Sequence, residues 1–206
     1  PLYSSAASDV YKRQAVVRAI LLDDEARYPD LTSPEWGKVR EPIVRFSGWA
    51  RAFGATSNNG AWAMPDTTDN TIRLAQSPMR SASVFNFFRP RYSPPVTELA
   101  RRGQVAPELQ ITDETSIAGY LNFLAIYVDR GWEDLQTNYA AEIALARDPA
   151  ALVARVALLL AGDAFSSATA NAIAQAVATL PPERPRDRVR AAIMLVAASP
   201  EYLVQK

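Results

Sequence analysis

Apolar side chains recur every three or four residues in several separated stretches of the chain, and that spacing predicts a series of amphipathic helices. The first spans residues 15–28, with Val16, Val17, Ile20 and Leu21 on one face and Arg18, Asp23, Asp24 and Arg27 elsewhere, and Pro29 ends it. Thr32, Pro34 and Glu35 form a cap, first-turn proline and capping-box pattern that predicts a second helix. Residues 37–42 then interrupt or kink that helix, presenting Lys38, Arg40 and Glu41 together, before Ile43, Phe46, Ala50 and Phe53 resume the period with Trp49 beside them. A helix capped by Thr112 runs to Val128, with Ile117, Tyr120, Leu121, Leu124, Ala125 and Val128 as its apolar face and Asn122 turned away. Asp148 and Pro149 open a segment that is apolar nearly all round and stops at Gly162, the expected central core helix. Ser166 or Ser167 caps the next helix, which Pro181 and Pro182 halt. Val189, Ala192, Ile193, Leu195 and Val196 mark the last long one, after a charged lead-in at 184–190. Ser199, Pro200 and Glu201 start a terminal turn carrying Tyr202 and Leu203.

Elsewhere the period is lost. Residues 54–70 (GATSNNGAWAMPDTTDN) predict a long surface loop whose middle is pinned against something apolar by Trp62 and Met64. In residues 83–95, SVFNFFRPRYSPP, aromatic rings alternate with Arg89 and Arg91, and Pro90, Pro94 and Pro95 exclude a helix. The expectation is a buried, irregular connector, its peptide groups satisfied by Arg89, Arg91 and Asn86, with helices packed around it. Residues 96–102 allow one or two helical turns stopped by Gly103, and Pro107 makes 105–111 extended. With no hairpin dipeptide, sustained alternation or repeat, the fold class is mainly α: an irregular helical domain packed around an extended Pro/aromatic connector.

Composition narrows the chemistry. At 206 residues and 49% apolar the chain can fill one core, and its apolar runs are too short to span a membrane. The 22 basic and 22 acidic residues cancel, so net charge gives no reason to expect nucleic acid. With neither cysteine nor histidine, the chain cannot build a disulfide, a thiolate nucleophile, a Cys/His zinc site or an imidazole triad of its own. Residues 1–14, PLYSSAASDVYKRQ, read unlike the rest and resemble the translated read-through of a sequencing adapter at the end of a metagenomic gene fragment; an ordinary polar arm is the other reading. The expected organisation is a non-native or disordered arm over 1–14 and a single helical domain over 15–206, part of a longer polypeptide.

Four motifs, GKVREP (37–42), SVFNFFRPRYSPP (83–95), APELQITDETSIAGYLNF (106–123) and SPEYLVQ (199–205), resemble in order the C-terminal portion of the bacterial domain of unknown function 1800 family (DUF1800). The resemblance implies a largely helical, uncharacterised protein, often exported or periplasmic, with full-length members longer than this chain. It also implies a possible protein partner encoded nearby, from a family resembling alkaline-phosphatase-like hydrolases. No cofactor is specified.

Two cations beside a carboxylate at Lys38, Arg40 and Glu41 can hold an anion or make an acid/base centre, although a structural ion-pair network is the more ordinary use of such a group. Arg89 and Arg91 can bind phosphate or stack on aromatic rings. Glu108, Gln110, Asp113 and Glu114 carry oxygen donors for a hard cation, but not at EF-hand spacing, and no metal site is assigned. No Gly-x-Ser-x-Gly elbow or phosphate-binding glycine loop is present. The leading expectation is a structural or interaction module. The alternative is part of a hydrolase-like enzyme in which Arg40, Glu41, Arg89 and Glu108 line a cleft completed by a missing N-terminal region, with Lys38, Asn86, Tyr92 and Asn122 as candidate ligand contacts. A carbohydrate surface on Trp62 and Tyr92 ranks last. Convergence of the four polar residues on one open pocket separates the first two readings.

Overall fold

The computed structural model describes residues 3–33 and 35–206, and their side chains apart from those of residues 3–11 and 163. The chain divides after Gly37: the described residues up to that point, with Lys206, form one compact unit and Lys38–Gln205 the other. The first unit holds α1 (Tyr3–Leu22) and α2 (Asp24–Arg27). The helix expected over 15–28 is therefore two. Asp23 breaks it by adopting extended backbone and accepting the Glu25 amide as a cap. Val16, Val17, Ile20 and Leu21 are all exposed, so the apolar face of α1 is not a core face. The helix expected at Thr32 does not form among the described residues there, because the Asp30 carboxylate takes both the amide and the hydroxyl of Thr32 and holds a turn. Pro34, part of that expectation, lies outside the described residues.

The second unit opens with β1 (Lys38–Val39), which pairs antiparallel with β4 (Val204–Gln205), Lys38 opposite Gln205 and Val39 opposite Val204. GKVREP is thus not a kink inside a helix. It is a short strand followed by a helix start, with Glu41 before Pro42 in the first turn of α3 (Pro42–Ala52), where proline has no needed N–H to lose. A second two-residue pair joins β2 (Thr56–Ser57) to β3 (Leu135–Gln136). The rest is helical: α4 (Glu98–Arg101), α5 (Glu114–Arg130), α6 (Ala140–Leu145), α7 (Pro149–Ala161), α8 (Ser167–Ala178), α9 (Pro185–Ala198) and α10 (Pro200–Leu203). The mainly α class holds. Asp148, Ser166 and Ser199 cap α7, α8 and α10 as their sequence context requires, and Gly162 ends α7 at φ 62°. Asp113, not Thr112, caps α5, through a reciprocal pair with Ser116. Residues 107–110 form a 3₁₀ turn instead of extended chain, with Pro107 in its first position.

α7 packs on α8 and α9 and also touches α3, α6 and α10, which makes it the central helix that its apolar sequence predicts. One end of the core is aromatic: Phe46 and Trp49 of α3 meet Phe123 and Tyr127 of α5 at centroid distances between 4.9 and 6.2 Å. Leu152, Val156, Ile193 and Val196 continue it between α7 and α9. Gly119 in the middle of α5 has a reason: a Cβ there would lie 2.8 Å from the Asn70 carbonyl oxygen, so the incoming loop backbone rests directly on the helix.

The connector at 83–95 is not the centre of this arrangement. Val84 is 94% exposed and Phe85 61%, while Phe87, Phe88 and Tyr92 are half-buried. Its main-chain bonds are mostly local, Asn86 N–H to Ser83 O and Tyr92 N–H to Arg89 O, and an exposed segment can leave the remainder to water, so no arginine is needed to satisfy it.

The lead-in to α9 holds a buried clamp. Arg188 donates through Nε (2.9 Å) and Nη2 (2.7 Å) to the Leu180 carbonyl and through Nη1 (3.0 Å) to that of Ala146. It thereby satisfies carbonyl oxygens left over where α8 and α6 end. Arg188→Met is expected to lower unfolding free energy by roughly 2–4 kcal/mol in urea titrations, because buried acceptors lose a charged donor. The exposed Arg186→Met should change it by less than about 0.5 kcal/mol.

Candidate functional site

Arg40 and Arg45 leave the β1–α3 junction in different directions. Arg40 donates to the Leu160 carbonyl at 3.0 Å, near the end of α7, and its guanidinium lies 4.9 Å from the Tyr202 ring centroid. Arg45, only 1% exposed, donates from Nε to the Arg40 carbonyl (2.7 Å) and from Nη2 to the Thr112 hydroxyl (3.3 Å), over the Tyr120 ring. Among the described residues it has no carboxylate partner. Burial pulls its proton affinity below the usual arginine range. Burial likewise pushes Tyr202 up to about 12, so its hydroxyl stays protonated and donates to the Arg45 carbonyl. Arg45 falls one position before Phe46 in an otherwise apolar stripe, and its sequence context gives no sign of its burial.

The other expected site residues have separate partners. Glu41 accepts from the side-chain amides of Gln76 and, at 3.2 Å, Asn86, which ties the start of α3 to the loop and the connector. Asn86 holds a left-handed φ of 69°, a conformation asparagine tolerates. Lys38 pairs with the buried Glu108 at 3.4 Å. Arg89 is exposed, and among the described residues its main-chain N–H, not its guanidinium, is engaged, by Gln110 Oε1 at 2.8 Å. The Tyr92 carbonyl accepts from the Ala106 amide, and Asn122 is exposed. Of the four oxygen-bearing residues, Glu108 is an ion-pair partner, Gln110 a main-chain acceptor and Asp113 a helix cap, while Glu114 lies in the first turn of α5. Trp62 is exposed, and no ring contact joins it to Tyr92 among the described residues.

The long loop is held by a polar knot. Asp134 accepts the Ser57 hydroxyl and the Trp62 amide (3.1 Å) on one oxygen and the Ala63 amide (2.9 Å) on the other. Trp62 adopts φ 52°, turning two successive amides onto the carboxylate as an anion-binding nest. The expected apolar pin by Trp62 and Met64 is therefore replaced by the amides of Trp62 and Ala63, while the side chains of Trp62 and Met64 are exposed.

One cleft of about 500 Å³ stands apart from all of these residues, between the end of α5, residues 136–143 and the start of α9. Arg130, Gln136, Asn138, Arg186 and Arg190 are among its walls. Tyr139 closes one side. Its hydroxyl accepts from Trp49 Nε1 at 3.1 Å, and burial pushes it up to about 12. Sequence periodicity carried no signal for this region, because residues 131–139 belong to no helix.

Fold and side-chain geometry together define a mainly α-helical protein whose two buried arginines, Arg45 and Arg188, serve its own main chain. The chain belongs to the family described as Protein of unknown function (DUF1800), which it matches over residues 5–204. No curated protein and no solved structure matches it.

The Ser57 hydroxyl, then the Ala63 and Trp62 amides, hold the Asp134 carboxyl below its ordinary value of 3.8, outweighing the opposing effect of burial. A depressed folded value means that its stabilisation is complete above about pH 4 and is lost as pH falls through the folded value. Asp134→Asn is expected to lower the unfolding midpoint at neutral pH, with the difference from wild type shrinking below about pH 4. Limited proteolysis within residues 57–66 should be faster in the variant.

Proposed function

We propose that this chain is a structural or interaction module of an exported bacterial protein, and not the seat of a hydrolytic centre. The observation that carries this reading is the separate placement of the four residues an enzyme would need. Arg40 serves the α7 carbonyl end, Glu41 the Gln76 and Asn86 amides, Glu108 the Lys38 ammonium, and the Arg89 guanidinium faces solvent. None of them lines the cleft at the α5 and α9 ends. The surface such a module offers is the connector, where Val84 and Phe85 are exposed beside Arg89 and Arg91, which form no ion pair among the described residues. Met79 and Val96, also fully exposed, hold left-handed φ of 62° and 61° on either side of it. The family resemblance supports export, and supports a partner from a neighbouring alkaline-phosphatase-like family as the protein this surface meets.

The test is an assay of the purified chain on phosphomonoester, carboxylic ester and glycoside substrates, alongside Glu41→Gln and Glu108→Gln. We expect no turnover above the buffer rate, and unfolding free energies lowered by about 1–2 kcal/mol in each variant as internal charged bonds are weakened. Turnover that Glu41→Gln or Glu108→Gln abolishes at an unchanged unfolding midpoint would overturn the module in favour of a hydrolase.

A further inference from the structure

The cleft between the ends of α5 and α9 has no part in an interaction role, and its charges are unevenly matched. Arg190 pairs with Asp129 at 2.9 Å and lies 3.9 Å from Asp187, which Arg184 also holds at 2.6 Å. Both carboxylates of the cleft are therefore neutralised inside the protein. Arg130 and Arg186 line the same cleft, are exposed, and have no carboxylate within ion-pair distance among the described residues. For Arg130, in the last turn of α5, the helix dipole is reason enough for a cation. For Arg186 it is the opposite: this residue sits in the first turn of α9, where the dipole disfavours positive charge. A local rule broken without a compensating internal partner is the mark of a residue placed for something outside the fold.

The neutral part of the wall sets hydrogen-bonding groups beside apolar side chains, among them Val128, Ile143 and Val189. Asn138 accepts the Ala140 amide on Oδ1 at 2.9 Å, which leaves its NH₂ group as a donor, and Gln136 and Thr137 lie beside it. The volume of about 500 Å³ falls within the range of small-molecule sites, roughly 300–1,000 Å³. Two unpaired guanidiniums disfavour a cationic ligand, and the amides of Gln136 and Asn138 beside the apolar side chains favour one with both polar and carbon-bound surface.

We propose that this cleft binds a small hydroxylated organic anion, a phosphomonoester or carboxylate of a polyol, with Arg130 and Arg186 on the anionic group and Gln136 and Asn138 on the hydroxyls. The forked donors of arginine suit either anion, because both present paired oxygens at matching spacing. The assignment is independent of the interaction role and survives its failure.

The experiment is a titration of the ¹⁵N-labelled full chain, followed by amide chemical shifts, with glycerol 3-phosphate, glycerate, inorganic phosphate and glycerol as probes. Saturable shifts of Gly131, Gln136, Thr137 and Asn138 are expected with glycerol 3-phosphate or glycerate, and the tighter of the two identifies the anionic group. Arg130→Ala and Arg186→Ala should each weaken that binding by about tenfold, the loss of one charge-assisted contact. Arg51→Ala, an exposed arginine on α3, should leave it unchanged. Absence of saturation with both organic anions, or equal weakening by Arg51→Ala, overturns the proposal. So does inorganic phosphate binding as tightly as glycerol 3-phosphate, since the hydroxyl contacts then contribute nothing.

Discussion

The arginine guanidinium donating to a main-chain carbonyl is the interaction on which this architecture depends. A unit built from short helices has many helix ends, and each leaves carbonyl oxygens without an intrahelical partner. Where those ends are buried they must be satisfied, and water is not at hand. Arg40 reaches the end of α7 at Leu160, Arg188 gathers the ends of α6 and α8, and Arg45 closes the backbone at Arg40 itself. Guanidinium suits this work better than ammonium because it presents five donors in a plane and is more weakly hydrated. Among the described residues, carbonyl oxygens, the Thr112 hydroxyl and the Tyr120 ring, not carboxylates, are what the two most buried of these cations, Arg45 and Arg188, engage.

That arrangement shapes how the charged residues of the second unit are to be understood. Those nearest the β1–α3 junction are absorbed into its construction: Arg40 and Arg45 hold main chain, Glu41 holds two amides, and Lys38 neutralises a buried Glu108. Tyr202, far along the sequence, completes the junction by donating to the Arg45 carbonyl and offering its ring to Arg40. Arg89 and Arg91 on the connector, and Arg130 and Arg186 at the cleft beside α9, carry no such duty among the described residues.

Much of the helical framework was legible because its signals are local. Asp148 with Pro149, Ser166, Ser199 with Pro200, and Gly162 each act within one turn of their own position, and each stands where that local chemistry puts it. Thr112 was misread by one residue because Asp113, its neighbour, forms the reciprocal pair with Ser116, leaving Thr112 free to accept from Arg45. The connector was misplaced for a different reason: aromatic content argues for burial only when backbone polar groups can be satisfied inside, and a proline-rich segment satisfies them more easily in water. The clamps of Arg45 and Arg188, and the Asp134 knot, are invisible in the sequence because most of their partners are backbone atoms, which every residue possesses and no residue type announces. The cleft escaped for the same reason, assembled as it is from a non-periodic segment and two helix ends distant in sequence.

The pairing of β1 with β4 brings the two ends of the second unit side by side, Lys38 against Gln205. Tension applied at those ends would meet the ladder in its weakest orientation, with its rungs opening one after another like a zip and not shearing together. The Tyr202 and Arg40 contacts would be loaded next, and the α7 core last. Mechanically, the ladder is the seam that opens first, and it shields the hydrophobic interior only until it has parted.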